Sequence, residues 1–158
     1  MGNHNGRRRR LRLEHFVPYR LSVLTNTVST AIAGAYAARF GLSIPEWRVI
    51  AVLGLEPGLS AAQVAERTAM DKVAVSRAVS ALLRSRRVAR AFANADRRRS
   101  MLKLTRNGES VYWRVVPFAR RYERALLADL SGAERLRLDR LLAHLQRRAI
   151  KLGPIHTD

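Results

Sequence analysis

The chain has 158 residues, enough for one domain with a proper core, and 47% of them are hydrophobic. Lysine and arginine number 30 against 12 acids, a net charge of +18. Such an excess repels itself in a compact state and favours a polyanionic partner, nucleic acid first and an anionic membrane surface second. There is no cysteine, which excludes disulfides, thiolate metal sites, cysteine nucleophiles and thiol redox sensing, and fits a reducing cytoplasm.

The chain opens MGNHNGRRRRLRLEHF, and residues 1–12 read as a disordered, mobile cationic arm. Glu14, His15 and Arg20 interrupt any signal-peptide core, and no 18-residue apolar span predicts a transmembrane helix. Over 15–40, Leu21, Leu24, Val28, Ile32, Tyr36 and Phe40 recur every three or four residues, one face of a long helix that Gly41 stops. Ser43-Ile-Pro-Glu46 has capping-box spacing and predicts a helix over 44–54. Glu56-Pro-Gly is a turn, and Ser60-Ala-Ala-Gln63 opens a short helix over 61–67.

Asp71 is an N-cap for a helix over 72–86, with Val75, Val79, Leu82 and Leu83 facing inward. The opposite face carries Lys72, Val73, Ser76, Arg77, Ser80 and Arg84. Residues 88–93 and 100–104 read as two short strands, which puts Asp96-Arg-Arg-Arg99 near a hairpin tip. Thr105 caps a helix over 106–129 that Pro117 should bend. Ser131-Gly-Ala-Glu134 caps a last helix over 132–151, bearing Leu138, Leu141, Leu142, Leu145 and Leu152.

This order predicts a mainly α fold with a small β-hairpin: a winged helix-turn-helix flanked by N- and C-terminal helices. Residues 13–42 form an N-terminal dimerisation helix, 43–105 the DNA-binding region, 106–152 the C-terminal dimerisation helices and 153–158 a tail. The flanking helices are too amphipathic to stand alone, so they predict a homodimer.

Three segments in this order resemble the MarR family of transcriptional regulators. AAQVAERTAMDKVAVSRAVSALLRSRRVAR is similar to the family's helix-turn-helix, DRRRSMLKLTRNG to its wing, and LSGAE to the link between its C-terminal helices. The likeness spans about residues 15–150. One departure is visible: where the family often ends the recognition helix on glycine, this chain has Arg86-Arg87.

Ser76, Arg77 and Ser80 suit base edges in a major groove, Val73 a thymine methyl, and Lys72 and Arg84 phosphates. Residues two apart on a strand point the same way, so Asp96 can orient Arg98 toward a minor groove while Arg97 and Arg99 meet phosphates or solvent. A solvated surface loop is the plain alternative for this stretch. The resemblance implies the same role for Arg98 and repression relieved by a small molecule, while the expected homodimer predicts a pseudo-palindromic double-stranded operator.

The resemblance also raises an aromatic effector. PYRLSVLTN is similar to members that sense hydroxycinnamates or their CoA thioesters. His15, Tyr19, Arg20, Ser22, Asn26, Trp47 and Arg48 are the candidate contacts, an arginine among aromatics and hydroxyls being suited to an aromatic carboxylate. Packing within a dimer helix is the competing role for each. His4, His15, His144 and His156 are scattered, and no HExxH, GxSxG, P-loop or dinucleotide motif occurs. No enzyme, cofactor or metal site is expected. Two other classes remain: a nonspecific architectural DNA-binding protein, and a peripheral membrane protein, against which the scattered aromatics argue.

Overall fold

The computed structural model describes residues 10–93 and 96–154, with backbone alone for 92, 93 and 96–99. The arginines at 7–9, and His4 and His156, therefore lie outside the described residues. A single 3-10 turn at Leu13–His15 leads into helix α1, Val17–Phe40. The helix starts two residues later than the periodicity predicts because Pro18 has no N–H and sits in the first turn. At the other end Gly41 takes φ +61° and its N–H closes on the Ala37 carbonyl at 2.9 Å.

Helices α2 (Ile44–Leu55), α3 (Ala61–Thr68) and α4 (Lys72–Arg84) follow, then strands β1 (Val88–Ala93) and β2 (Asp96–Leu104), then α5 (Arg106–Leu126) and α6 (Gly132–Leu152). All three capping boxes form: Ser43 with Glu46, Ser60 with Gln63, and Ser131 with Glu134. Asp71 caps α4, its carboxylate accepting from Ala74 N–H at 2.8 Å. Thr105 Oγ1 accepts from Gly108 N–H at 3.1 Å at the start of α5.

β1 and β2 pair antiparallel, Val88 opposite Leu104 and Ala91 opposite Met101, with an irregularity between Phe92 and Ala93. Leu59 adds a third, one-residue rung on Leu102, whose N–H reaches the Leu59 carbonyl at 2.8 Å. The strand β2 is longer than the alternating run predicts. It begins at Asp96, so the three arginines lie on strand backbone.

The chain divides into two compact units, one ending at Phe118 and one beginning at Ala119. The first holds the core. Val49, Ile50 and Leu53 of α2, Val64 of α3, Val75, Val79 and Leu82 of α4, Leu102 of β2 and Val115 of α5 are all buried. Each such aliphatic side chain contributes roughly 1.5–3 kcal/mol by leaving water. Two glycines permit close approaches. A Cβ on Gly108 would lie 2.0 Å from the Arg87 carbonyl oxygen, and one on Gly54 would lie 2.7 Å from the Tyr112 ring. Gly108 therefore seats α5 on the turn that leaves α4, and Gly54 lets Tyr112 lie flat against α2.

In the second unit α6 buries no residue, and Leu136, Leu141, Leu142, Leu145, Ile150 and Leu152 are exposed. The predicted face of α1 is buried only toward its end: Tyr36 is buried, Ile32 and Phe40 are half-buried, and Leu21 and Leu24 are exposed. Two helices thus carry apolar stripes that this single chain leaves in water.

Candidate nucleic-acid interface

The candidate recognition element is α4. Its Asp71 cap and the αL residue Ala69, φ +51°, set the turn after α3. Val75, Ala78, Val79 and Leu82 anchor one side in the core. That anchoring turns Lys72, Val73, Ser76, Arg77 and Arg84 outward, all exposed, while Ser80 is half-buried. Every exposed member of the predicted face is present, and no acid interrupts it. Such a surface of cations, a hydroxyl and one aliphatic side chain fits phosphates, base edges and a thymine methyl.

The wing lies next in sequence. The backbone of Asp96, Arg97, Arg98 and Arg99 is on β2. Their side chains, and with them the predicted Asp96–Arg98 pair, lie outside the described residues. Arg90 on β1 and Lys103 on β2 are exposed cations of the same hairpin that the motif had not singled out.

The exit from α4 is tightly built. Arg86 takes φ +52°, the left-handed geometry for which the family's usual glycine is suited. Thr105 then closes the corner: its hydroxyl donates to the Arg86 carbonyl at 2.7 Å and its N–H to the Arg87 carbonyl at 3.0 Å. The Arg87 guanidinium reaches across to the Phe40 carbonyl at 2.5 Å.

The candidate effector residues fall into two groups. His15, Tyr19, Arg20, Ser22 and Asn26 are exposed, His15 on the 3-10 turn and the rest along α1. Trp47 and Arg48 are half-buried on α2. Arg48 donates to Ser29 Oγ at 3.3 Å. Trp47 stacks on Tyr36 at 5.5 Å between ring centroids, and on Tyr112 at 6.3 Å. Tyr36 and Tyr112 are therefore neighbours that motif reading missed; Tyr36 had been assigned only to the apolar stripe. Burial raises the Tyr36 hydroxyl pKa above 10.0, with the Arg48 charge pulling the other way. A cleft of about 240 Å³ opens beside Tyr112, bounded by Gly54, Lys103, Glu109 and Trp113.

Among the described residues there is no cluster of three or more His, Asp or Glu placed to hold a metal, and no helix long and apolar enough to cross a membrane. No curated protein sequence matches the chain significantly. A MarR family model matches residues 40–99, from the end of α1 to the wing arginines. Among solved structures, a MarR/EmrR family transcriptional regulator from Acinetobacter sp. ADP1 is 28% identical, with a TM-score of 0.81 over 87% of this chain and 97% of its own. A MarR family regulator from Silicibacter pomeroyi, 24% identical, superposes with a TM-score of 0.75 over 94% of this chain and all of its own, a likeness of fold. So does the PcaV regulator of Streptomyces coelicolor, solved in complex with its natural ligand: 23% identity and a TM-score of 0.72 over 88% of this chain and 97% of its own. Family model, element order and the build of α4 converge on a likeness to the MarR family of DNA-binding transcriptional regulators.

Proposed function

We propose that this protein is a transcriptional regulator of the MarR type: a homodimer that reads a pseudo-palindromic duplex, represses transcription from it, and is released by a small aromatic carboxylate or its CoA thioester. The observation that carries the DNA reading is α4: its inner side is buried in the core while Lys72, Val73, Ser76, Arg77 and Arg84 face water together. In this reading α4 enters the major groove, with Ser76, Arg77 and Ser80 at base edges. Arg98, oriented by Asp96, enters the minor groove, and Arg97 and Arg99 meet phosphates. Residues 43–105 are the reading region, 13–42 and 106–152 the dimerising helices, 1–12 an accessory basic arm and 153–158 a tail. The protein works in the cytoplasm.

The dimer is supported by the exposed stripes of α1 and α6. The effector site is supported by half-buried Arg48 and the aromatic row around Trp47. It is further supported by the likeness to PcaV, which was solved with a ligand bound. His15, Tyr19, Arg20, Ser22 and Asn26 join that site when a second copy covers α1.

The DNA reading is tested with Arg98→Ala and Asp96→Ala on the operator. The first should weaken binding by on the order of 10- to 100-fold, and the second less, because it only frees the arginine's orientation. Parental affinity in Arg98→Ala at physiological salt rejects the wing assignment. Equal affinity of the parent for scrambled duplex favours a nonspecific architectural protein instead. For the effector, benzoates, salicylates, hydroxycinnamates and CoA thioesters are titrated against Trp47 fluorescence in a Trp113→Phe background. One of them should bind and release operator DNA, and Arg48→Ala and Arg20→Ala should each weaken it. No binding below millimolar concentration rejects the aromatic acid.

A further inference from the structure

We propose that Phe40 is the joint that sets the angle between α1 and the recognition helix, and that Arg87 and Arg114 are the residues that hold it. This assigns them control of the half-site spacing the dimer accepts, a role that rests on the DNA reading above. Three elements meet at Phe40. Its carbonyl is one of the last four of α1, which have no partner within the helix. The Arg87 guanidinium donates to it across 47 positions of sequence, and its positive charge suits the negative end of the helix dipole. The Phe40 ring lies under Arg114 of α5, whose guanidinium carbon is 4.9 Å from the ring centroid. One residue earlier, Arg39 sits 5.1 Å over the Phe118 ring of α5.

Arg87 is itself fixed. Its N–H donates to the Leu82 carbonyl at 2.9 Å, its carbonyl accepts from Thr105 N–H at 3.0 Å, and Gly108 packs against that same oxygen. The backbone at the exit of α4 is thus held rigidly, and its side chain carries that rigidity to the last turn of α1. A guanidinium held at both ends works as a strut: α4 cannot rotate about its exit without breaking the bond to α1. In a dimer the two recognition helices must match grooves about one helical turn apart. An angular change at each joint changes the distance between them. The bond is half-buried and Arg87 lies past the last residue of α4, so its effect is on geometry and not on the face that meets DNA.

The test measures affinity of the full-length protein for a ladder of duplexes whose half-sites differ in spacing by single base pairs. The parent should show a sharp optimum, losing on the order of tenfold per base pair added or removed. Arg87→Met should flatten the profile to about threefold or less while keeping the affinity for the best spacing within a few-fold. Arg87→Lys, which retains a donor, should restore part of the sharpness. Arg84→Met, a phosphate-facing change on the same helix, should lower affinity at every spacing and leave the profile sharp. Arg114→Gln loosens the ring without touching the exit of α4 and should flatten the profile even if Arg87→Met fails to fold. Unchanged sharpness in folded Arg87→Met, or in Arg114→Gln where Arg87→Met does not fold, overturns the joint and leaves the DNA reading intact. A parent with no spacing preference at all overturns both.

Discussion

Three residues around the exit of α4 carry much of the local design. Arg86 occupies a left-handed position, φ +52°, where a side chain costs about 1 kcal/mol. Arg86→Gly should therefore raise stability by roughly 0.5–1 kcal/mol, read as a higher urea midpoint with an unchanged slope. Gly108→Ala should do the reverse: its methyl meets the Arg87 carbonyl oxygen at 2.0 Å. The backbone must shift, and a loss of about 2–3 kcal/mol follows, measured in the same titration. The sequence flagged this corner, because two arginines stand where glycine is usual. It did not reveal the bond from Arg87 to Phe40. That contact joins residues distant in sequence, and no spacing pattern encodes it.

At the scale of elements, caps and periodicity were the readable signals. Ser43, Ser60, Asp71, Thr105 and Ser131 each cap the helix they were expected to start. These bonds are local, within three residues, so sequence alone holds both partners. The wing was read too short, because Asp-Arg-Arg-Arg lacks the apolar alternation that marks a half-buried strand; β2 nonetheless begins at Asp96, which pairs with Ala93 across an irregularity. The row Tyr36–Trp47–Tyr112 was hidden for the opposite reason: it gathers three helices, and Gly54 makes the room.

The Ser131 cap also makes a testable element. Its N–H and hydroxyl donate to Glu134 at 2.8 and 2.7 Å, which holds the carboxyl below its ordinary 4.5. A lowered folded pKa means the ionised form is favoured on folding. The stabilisation is complete above the ordinary value and lost as pH falls through the lowered one. Melting temperature should thus fall between neutral pH and pH below 4.5, and less steeply in Glu134→Gln. Ser131→Ala should cost about 1 kcal/mol near neutrality.

For the whole molecule, charge and unpartnered surface decide. A net charge of +18 belongs with a polyanion, and in the proposed dimer the apolar stripes of α1 and α6 meet a second copy. Leu141→Arg with Leu145→Arg, both on exposed positions of α6, should give a monomer by light scattering that keeps most of its helical dichroism. It should lose operator binding by at least about 100-fold, since two half-sites no longer act together. Removing Arg7 to Arg10 should instead lower affinity for all sequences alike and reduce the salt slope by up to about 3–4.

The most direct test is recovery of bound fragments from the source genome by the purified full-length protein at physiological salt. A dimer presenting two copies of α4 and two wings should enrich one pseudo-palindromic motif, its half-site centres about 10 bp apart. A synthetic duplex of that motif should bind on the order of 1,000-fold more tightly than its scrambled counterpart. Fragments without a common motif, bound no better than scrambled duplex, would contradict the account.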